Sequence, residues 1–167
     1  MSDLYAEVLV KRQQTAKDHI IRVGLILLTA LAVVAGFLMP LLFLAAAALA
    51  AACYFLIPRT DLEYEYLFVN GELDVDVIMG KSKRKRLKSF SMQTVEVIAP
   101  LDSHRVDYYK NNTQMKTIDY SSGTDAGKRY LMVVSDGDDG AVKVILEPGE
   151  ELAEFMKKSA PSKVFLD

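Results

Sequence analysis

Two shortages in this 167-residue sequence limit what the protein can be. Cys53 is the single cysteine, so no internal disulfide can form, which is compatible with a reducing compartment. Lysine and arginine total 20 against 22 aspartates and glutamates, so no basic excess points to a nucleic-acid partner. These shortages exclude a disulfide scaffold and give no support to a nucleic-acid-binding protein.

Charge is almost absent from residues 20–57, a run of 38 residues in which Arg22 is the one charged side chain. A single helix of that length would measure about 57 Å, nearly twice the ~30 Å of bilayer hydrocarbon. Gly36 and Pro40 lie near the middle, where a helix can end. The run therefore predicts a transmembrane hairpin with a tight central turn. Its two helices are expected at 20–36 and 41–57.

The same hairpin has few polar side chains. Apart from Arg22 at its edge, they are Thr29, Cys53 and Tyr54. Transport through a membrane needs ionisable or polar groups along a pathway, so the hairpin is predicted to be an anchor. Small residues let membrane helices approach closely, either within the hairpin or between copies of the chain. The small residues expected to pack in this way are Ala32, Gly36, Ala45, Ala48 and Ala52.

Basic residues flank the hairpin on both sides, and the turn between its helices has no charge. The flanking residues are Lys11, Arg12, Lys17, Arg22 and Arg59. The positive-inside bias then predicts a two-helix protein of the cell membrane with both termini in the cytoplasm. Lipoprotein cleavage before Cys53 would instead export the rest of the chain. It is disfavoured, because a signal peptide has an apolar core of ~7–15 residues and this core would have about 33.

Residues 1–19 are interpreted as a cytoplasmic amphipathic segment. Leu4, Tyr5, Val8 and Leu9 have the spacing of one face of a short helix, which could lie on the membrane surface. A frayed helix that leads into the first membrane helix is the alternative.

Residues 62–79 contain two runs of alternating apolar and polar residues around Asn70 and Gly71. Asn-Gly between such runs is the strongest short signal of a β-hairpin. A two-residue turn there sets Phe68 opposite Leu73 and places the apolar residues of both strands on one face. The sequence therefore predicts a hairpin with one buried face.

The opposite face of this hairpin sets Glu65 against Asp76, a pair of like charges. Carboxylates without a nearby histidine or cysteine are weak evidence for a metal site. We expect Arg86 and Lys88 of the next strand to compensate the two negative charges instead.

Turn-rich pieces separate further short strands, which are expected at 86–91, 92–98, 114–120, 128–135 and 141–147. Together with the hairpin they make seven antiparallel strands. Residues 148–159 predict an amphipathic helix, with glutamates in the first turn and lysines in the last. The soluble domain is thus expected to span 61–160, followed by a tail at 161–167.

Seven antiparallel strands closed by a carboxy-terminal helix is the plan of a pleckstrin-homology-like (PH-like) domain. The chain resembles bacterial PH-like domains attached to membrane helix pairs, and is similar to a family of small bacterial two-helix membrane proteins of unknown function. The residues that carry the resemblance are 62–80, 87–98 and 148–158. It implies a membrane α-hairpin plus a mainly-β, α+β domain: a seven-stranded antiparallel barrel or sandwich capped by a helix. The basic pair of eukaryotic PH domains is missing from the first inter-strand loop, so phosphoinositide binding is not implied.

A run of basic residues follows the hairpin: Lys81, Lys83, Arg84, Lys85, Arg86 and Lys88. The first strand carries the chain about 26 Å from the bilayer in eight residues, and the second strand returns it. We therefore expect a basic loop near the membrane surface, where each lysine or arginine gains about 1 kcal/mol from an anionic leaflet. A solvated loop that balances the acidic hairpin, and an acidic protein partner, are the alternatives.

Other motifs carry less weight. Asp136, Asp138 and Glu147 imitate a calcium loop, but Ala141 stands where such a loop needs glycine. Residues 121–127 lack the lysine of a phosphate-binding loop, and the histidine at 104 lacks a convincing nucleophile. No catalytic residue, metal or cofactor is predicted.

We therefore predict a non-enzymatic, membrane-anchored binding or scaffold module of unknown ligand. Membrane lipids at the basic loop are its expected partners, and a protein partner or a second copy of the chain could bind at the transmembrane hairpin. A subunit of a larger membrane complex, docked through the alanine-rich second helix, is the alternative. A membrane-bound enzyme that uses the connection 101–112 is the third hypothesis, although the sequence offers no nucleophile paired with a base there.

Overall fold

The computed structural model describes residues 5–125, 127–135 and 140–167. The chain divides into two compact units, one helical and one built of β-sheets. The helical unit comprises Gln13–Leu62 and Ile78–Lys83. The β unit comprises the described residues of Met1–Arg12, Glu63–Val77 and Arg84–Asp167.

Helix α1 (Ala16–Gly36) and helix α2 (Leu42–Leu56) form the hairpin, and a 3₁₀ helix at Ile57–Thr60 follows them. Helix α1 begins at Ala16 rather than at residue 20, because Thr15 and Asp18 form a capping box. The amide of Thr15 donates to the Asp18 carboxylate at 2.8 Å. Two helical segments are long and apolar enough to cross a membrane: α1 (Ala16–Gly36), and α2 together with the 3₁₀ helix (Leu42–Thr60).

The two helices of the hairpin contact each other through small and aromatic side chains. A Cβ on Gly36 would lie 2.8 Å from the ring of Phe43, so only glycine fits at the end of α1. Phe37 meets Phe43 edge to face, with ring centroids 5.5 Å apart. Farther along, Thr29 Oγ1 lies 3.4 Å from Cys53 Sγ.

The first sheet has the order β1-β2-β3-β4. Its strands are β1 (Tyr5–Lys11), β2 (Leu62–Val69), β3 (Glu72–Met79) and β4 (Lys83–Ser91). The amphipathic helix predicted in residues 1–19 is therefore wrong for its described central part. Strand β1 pairs antiparallel with β2, and Val8 lies opposite Tyr66. These residues form a strand rather than a helix because their burial alternates with a period of two: Ala6 and Val10 are buried, whereas Tyr5 and Leu9 are exposed.

The predicted β2–β3 hairpin is confirmed. Asn70 and Gly71 have φ values of +47° and +92°, as a two-residue turn of the I′ type requires. All six apolar residues assigned to the inner face are buried: Tyr64, Tyr66, Phe68, Leu73, Val75 and Val77.

The second sheet has the order β5-β7-β8-β6. Its strands are β5 (Val95–Pro100), β6 (Thr117–Asp119), β7 (Tyr130–Ser135) and β8 (Ala141–Leu146). Strand β6 is parallel to β8, which corrects the expectation of antiparallel strands throughout. The described strands number eight rather than seven, because β1 joins the first sheet. A long connection with helix α3 (Asp107–Asn111) precedes β6 and allows this parallel pairing.

Helix α4 (Gly149–Ser159) is the predicted carboxy-terminal helix, and Leu152 and Met156 on it are fully buried.

Tyr66 of β2 is buried between the two sheets and is 1 % exposed. Its hydroxyl donates to the carbonyl of Tyr120 at 2.5 Å and accepts from the amide of Glu147 at 3.4 Å. Burial raises the pKa of Tyr66 above its ordinary value.

A second apolar cluster centres on Ala99, Val106, Leu131 and Val133. Lys143 is 6 % exposed, and its ammonium donates to the carbonyl of Asn112 at 2.8 Å. This contact satisfies a carbonyl that follows α3 and explains how a buried lysine is tolerated.

The segment 161–167, expected as a carboxy-terminal tail, packs against the second sheet. Val164 is completely buried and pairs in parallel with Ile98 of β5. The amide of Ile98 donates to the carbonyl of Lys163, and the amide of Phe165 donates to the carbonyl of Ile98, both at 2.8 Å. The segment therefore covers the edge of the second sheet.

Candidate functional site

The turn between β3 and β4 packs on the end of the helical hairpin, within the helical unit. The amide of Gly80 donates to the carbonyl of Asp61 at 2.9 Å. Gly80 has φ +56°, and a Cβ there would lie 2.9 Å from Cβ of Pro58. Lys81 also adopts a left-handed conformation, with φ +59°, which is uncommon for a residue with a side chain. The turn thus needs glycine to approach the helix end.

This turn brings Lys83 to the aromatic end of α2. The Lys83 ammonium lies 4.9 Å from the ring centroid of Tyr54 and 5.7 Å from that of Phe55. The two rings meet edge to face at 5.2 Å. Such distances are within the range of cation–π attraction. A positive charge is therefore held against aromatic side chains where the apolar helix ends.

A cleft of about 270 Å³ lies beside this contact. It is lined by Cys53, Tyr54, Ile57, Pro58, Ser82 and Lys83. The cleft thus combines apolar walls with one ammonium group, at Lys83, and the hydroxyl groups of Tyr54 and Ser82.

The basic run is mostly a strand and not a loop, because β4 begins at Lys83. Gly80 and Lys81 form the turn before it, and the amide of Ser82 donates to the carbonyl of Met79 at 3.3 Å. Strand β4 is at the edge of the first sheet, where charged residues are common because they prevent further strand pairing.

The two arginines of the run compensate the acidic face of the first sheet. Arg84 contacts the carboxylate of Glu65, and its Nε lies 3.6 Å from Asp76. Arg86 Nη2 lies 2.8 Å from Asp74, and its Nε lies 3.6 Å from Asp76. The expected compensation by Arg86 is confirmed, and Arg84 contributes to it as well. The Lys88 ammonium lies 6.0 Å from the ring centroid of its neighbour Phe90.

Lys81 and Lys85 are exposed. Among the residues that the structure describes, neither of them forms an ion pair. A contact of the basic run with lipid stays a prediction, with these two lysines and Lys83 as its candidates.

The small residues of the hairpin divide into two groups. Ala32, Gly36 and Ala52 are partly or fully buried, whereas Ala45 and Ala48 are exposed on α2. The buried alanine of α2 is Ala46, which was not selected from the sequence. A packing role for Ala45 and Ala48 would thus need a surface outside the hairpin, and stays a prediction.

The side chains of Asp119, Ser121 and Glu147 hold the described loop residues 121–123. The hydroxyl of Ser121 donates to Asp119 at 2.7 Å and accepts from the amide of Gly123 at 3.2 Å. The amide of Ser122 donates to Glu147 at 3.0 Å. Amides engaged in this way are not available to bind a phosphate group. This supports an ordinary connecting loop rather than a phosphate-binding loop.

The connection 101–112 holds one histidine–carboxylate pair. His104 Nδ1 lies 3.0 Å from Asp107 Oδ2, and this hydrogen bond lowers the pKa of Asp107. Lys110 donates to the carbonyl of Leu101 at 2.7 Å. These contacts hold the connection together on the surface.

The structure offers little support for the other candidate sites. Asp136 and Asp138 of the calcium-loop pattern lie outside the described residues. Within the described ranges, no group of three histidine, cysteine or acidic side chains could hold a metal ion.

Sequence reasoning missed Tyr54, Phe55 and Gly80 as parts of one site. Aromatic residues at the end of an apolar helix, and a glycine before a basic run, are the signals that could have pointed to them. The contacts of Tyr54 and Phe55 with Lys83 join residues about 30 positions apart, which no local pattern reveals.

Comparison with known proteins gives one match. The model of the family described as "Bacterial PH-like domain (DUF6106)" matches residues 2–166. No curated protein and no solved structure matches significantly. Because the match covers nearly the whole sequence, the chain belongs to the bacterial PH-like domain family.

Proposed function

We propose that the protein is a membrane-anchored PH-like binding module whose hairpin spans the bilayer and whose basic lysines contact anionic headgroups. The observation that carries the proposal is the Lys83 ammonium held on the rings of Tyr54 and Phe55, where the apolar helix ends. Membrane proteins concentrate aromatic and basic side chains at the membrane–water interface, where an apolar helix leaves the bilayer. PH-like folds host binding functions of many kinds, and family membership supports a binding role without naming the ligand.

The hairpin has the length and the surface of a membrane anchor. At ~1.5 Å per residue, the 21 residues of α1 measure about 31 Å, close to the ~30 Å of bilayer hydrocarbon. Large apolar side chains around both helices are exposed, for example Leu31 at 69 % and Leu44 at 71 %. A surface of this kind needs a covering, and acyl chains provide one.

The charge distribution supports contact with an anionic surface. The helical unit contains five basic and two acidic residues, whereas the rest of the chain contains 15 basic and 20 acidic residues. The seven charges of the helical unit lie outside residues 23–58, at the end of the hairpin opposite its turn. This end would face the anionic cytoplasmic leaflet by the positive-inside bias.

The lysines of the basic run are better placed for lipid than its arginines. Arg84 and Arg86 are engaged by carboxylates of the first sheet. Lys81, Lys83 and Lys85 keep their charge uncompensated within the described chain, and three such residues near an anionic surface would gain about 3 kcal/mol.

Amine footprinting of the full-length protein in nanodiscs tests this proposal. The protein is acetylated by a water-soluble reagent in neutral nanodiscs and in nanodiscs that contain phosphatidylglycerol, and labelling at each lysine is measured by mass spectrometry. We expect the anionic lipid to protect Lys81, Lys83 and Lys85, while the exposed Lys116 is labelled equally in both. Equal labelling of the three lysines in both discs would refute the lipid contact.

A second candidate function is that of a subunit in a larger membrane assembly. The observation that favours it is the exposure of Ala45 and Ala48 on α2, away from the inter-helix contact. Small side chains on a membrane helix allow another helix to approach closely. Cross-linking in native membranes tests it, because Ala45→Leu would abolish a cross-link made through this face and would leave a monomeric anchor unchanged.

A further inference from the structure

We infer that the cleft at the end of α2 binds one anionic phospholipid, with its phosphate at Lys83 and its glycerol region against Tyr54 and Ile57. This inference rests on the proposed function and names a single site within it. The lining of the cleft carries the argument, since apolar walls meet an ammonium and a hydroxyl group at Lys83 and Ser82.

Within the described part of the chain, the charge at this site has no counter-ion. Lys83 contacts two aromatic rings, and no carboxylate of the described residues forms an ion pair with it. An ammonium carries three N–H donors. The face of an aromatic ring attracts the positive charge, but it does not occupy these donors in the way that a hydrogen-bond acceptor would. The group is therefore held in position with its hydrogen-bonding capacity open, as a phosphodiester ligand requires.

The backbone fixes the position of this lysine. Gly80 packs on Pro58 and is hydrogen-bonded to Asp61, and Lys81 is held in a left-handed conformation. Lys83 follows this turn directly, so the ammonium is aimed by a packed turn rather than by a flexible loop. A positioned cation distinguishes a binding site from a diffuse basic surface.

The ligand is expected to be a lipid rather than a soluble anion. Tyr54 lines the cleft and is 65 % exposed, and the neighbouring ring of Phe55 is 57 % exposed. These rings belong to a helix that is long and apolar enough to cross a membrane. Free phosphate would leave the apolar walls uncovered, whereas the glycerol and upper acyl chain of a phospholipid would cover them.

Native mass spectrometry of the full-length protein in detergent tests the inference. Phosphatidylglycerol and phosphatidylcholine are titrated separately, and the apparent Kd of the first bound lipid is measured. We expect one phosphatidylglycerol to bind in preference. Lys83→Gln should raise its Kd about five- to tenfold, as expected for losing one headgroup charge contact, and Lys83→Arg should restore most of the affinity.

Lys116→Gln is the matched control, since it removes the same charge from an exposed lysine outside the basic run and should change the Kd less than about twofold. Circular dichroism confirms that each variant is folded. Equal weakening by Lys83→Gln and Lys116→Gln would overturn the single site, as would displacement of the lipid by inorganic phosphate. If the single site were overturned in this way but anionic nanodiscs still protected the lysines of the full-length protein, the proposed function would stand. Absence of both protection and preferential binding would refute both proposals.

Discussion

Replacing Tyr66 with phenylalanine removes one oxygen atom from the centre of the β unit. The hydroxyl joins the first sheet to the second, because it donates to the carbonyl of Tyr120 after β6 and accepts from the amide of Glu147 after β8. Tyr66 is 1 % exposed, so water cannot replace the lost group without a rearrangement.

The expected loss follows from these contacts. A buried carbonyl left without its donor costs about 1–3 kcal/mol. For a unit of roughly 100 residues this corresponds to a fall in Tm of roughly 5–15 °C. The exposed Tyr108, at 75 %, provides the matched control, and Tyr108→Phe should change stability by less than about 0.5 kcal/mol.

The difference between wild type and Tyr66→Phe should depend on pH. Burial raises the pKa of Tyr66 in the folded state above its ordinary value of about 10. A group whose pKa is raised by folding contributes its full stability below the unfolded-state pKa, and this contribution is lost as the pH rises through the folded-state value. The advantage of wild type should therefore be constant near pH 7 and should shrink above about pH 10.

Thermal unfolding in detergent, followed by far-ultraviolet circular dichroism, measures this difference. Burial also raises the pKa values of Tyr64 and Tyr120, so both proteins should lose stability at high pH. Only the gap between the two proteins reports on Tyr66. A gap of the same size at pH 7 and pH 11 would refute the reasoning, as would equal stability at pH 7.

Three further substitutions test other parts of the fold. Lys143→Met should lower the free energy of unfolding by about 1–3 kcal/mol, because the half-buried carbonyl of Asn112 loses its donor. Val164→Ala should cost about 2 kcal/mol and should speed hydrogen exchange at the amide of Ile98. A double-mutant cycle of Arg86→Gln and Asp74→Asn should give a coupling of only about 0.2–1 kcal/mol that falls at high salt, because the arginine is largely exposed.

Each of these expectations has a contrary outcome. Unchanged stability of Lys143→Met would mean that the ammonium only offsets its own burial cost. Unchanged exchange at Ile98 in Val164→Ala would mean that the carboxy-terminal segment does not protect β5. A salt-independent coupling would mean that the arginine pair is shielded from solvent.

The periodicity of apolar residues predicted those strands and helices in which the pattern extends over many residues. The β2–β3 hairpin and helix α4 were confirmed, because two alternating runs around Asn-Gly and a helix with charged ends have few alternative structures. Strand β1 was missed because seven residues can match both a period of two and a helical stripe. The parallel pairing of β6 depends on a long connection and has no local signal.

The candidate site was only partly predictable. The basic residues were visible in the sequence, but charged residues are poor strand formers, so the start of β4 was interpreted as a loop. The division between arginines that contact carboxylates and lysines that do not depends on strand order. The position of Lys83 on Tyr54 depends on a turn packed against a helix, which is a tertiary contact.

The hydrogen-bonded ladder between β1 and β2 has a topological consequence. Strand β1 precedes α1 and β2 follows α2, yet seven residue pairs join the two strands directly. Both ends of the intervening segment must therefore emerge into the same compartment, so the polypeptide can cross a bilayer only an even number of times between them. Ribosomal synthesis must also release all of α1 and α2 before this sheet can be completed.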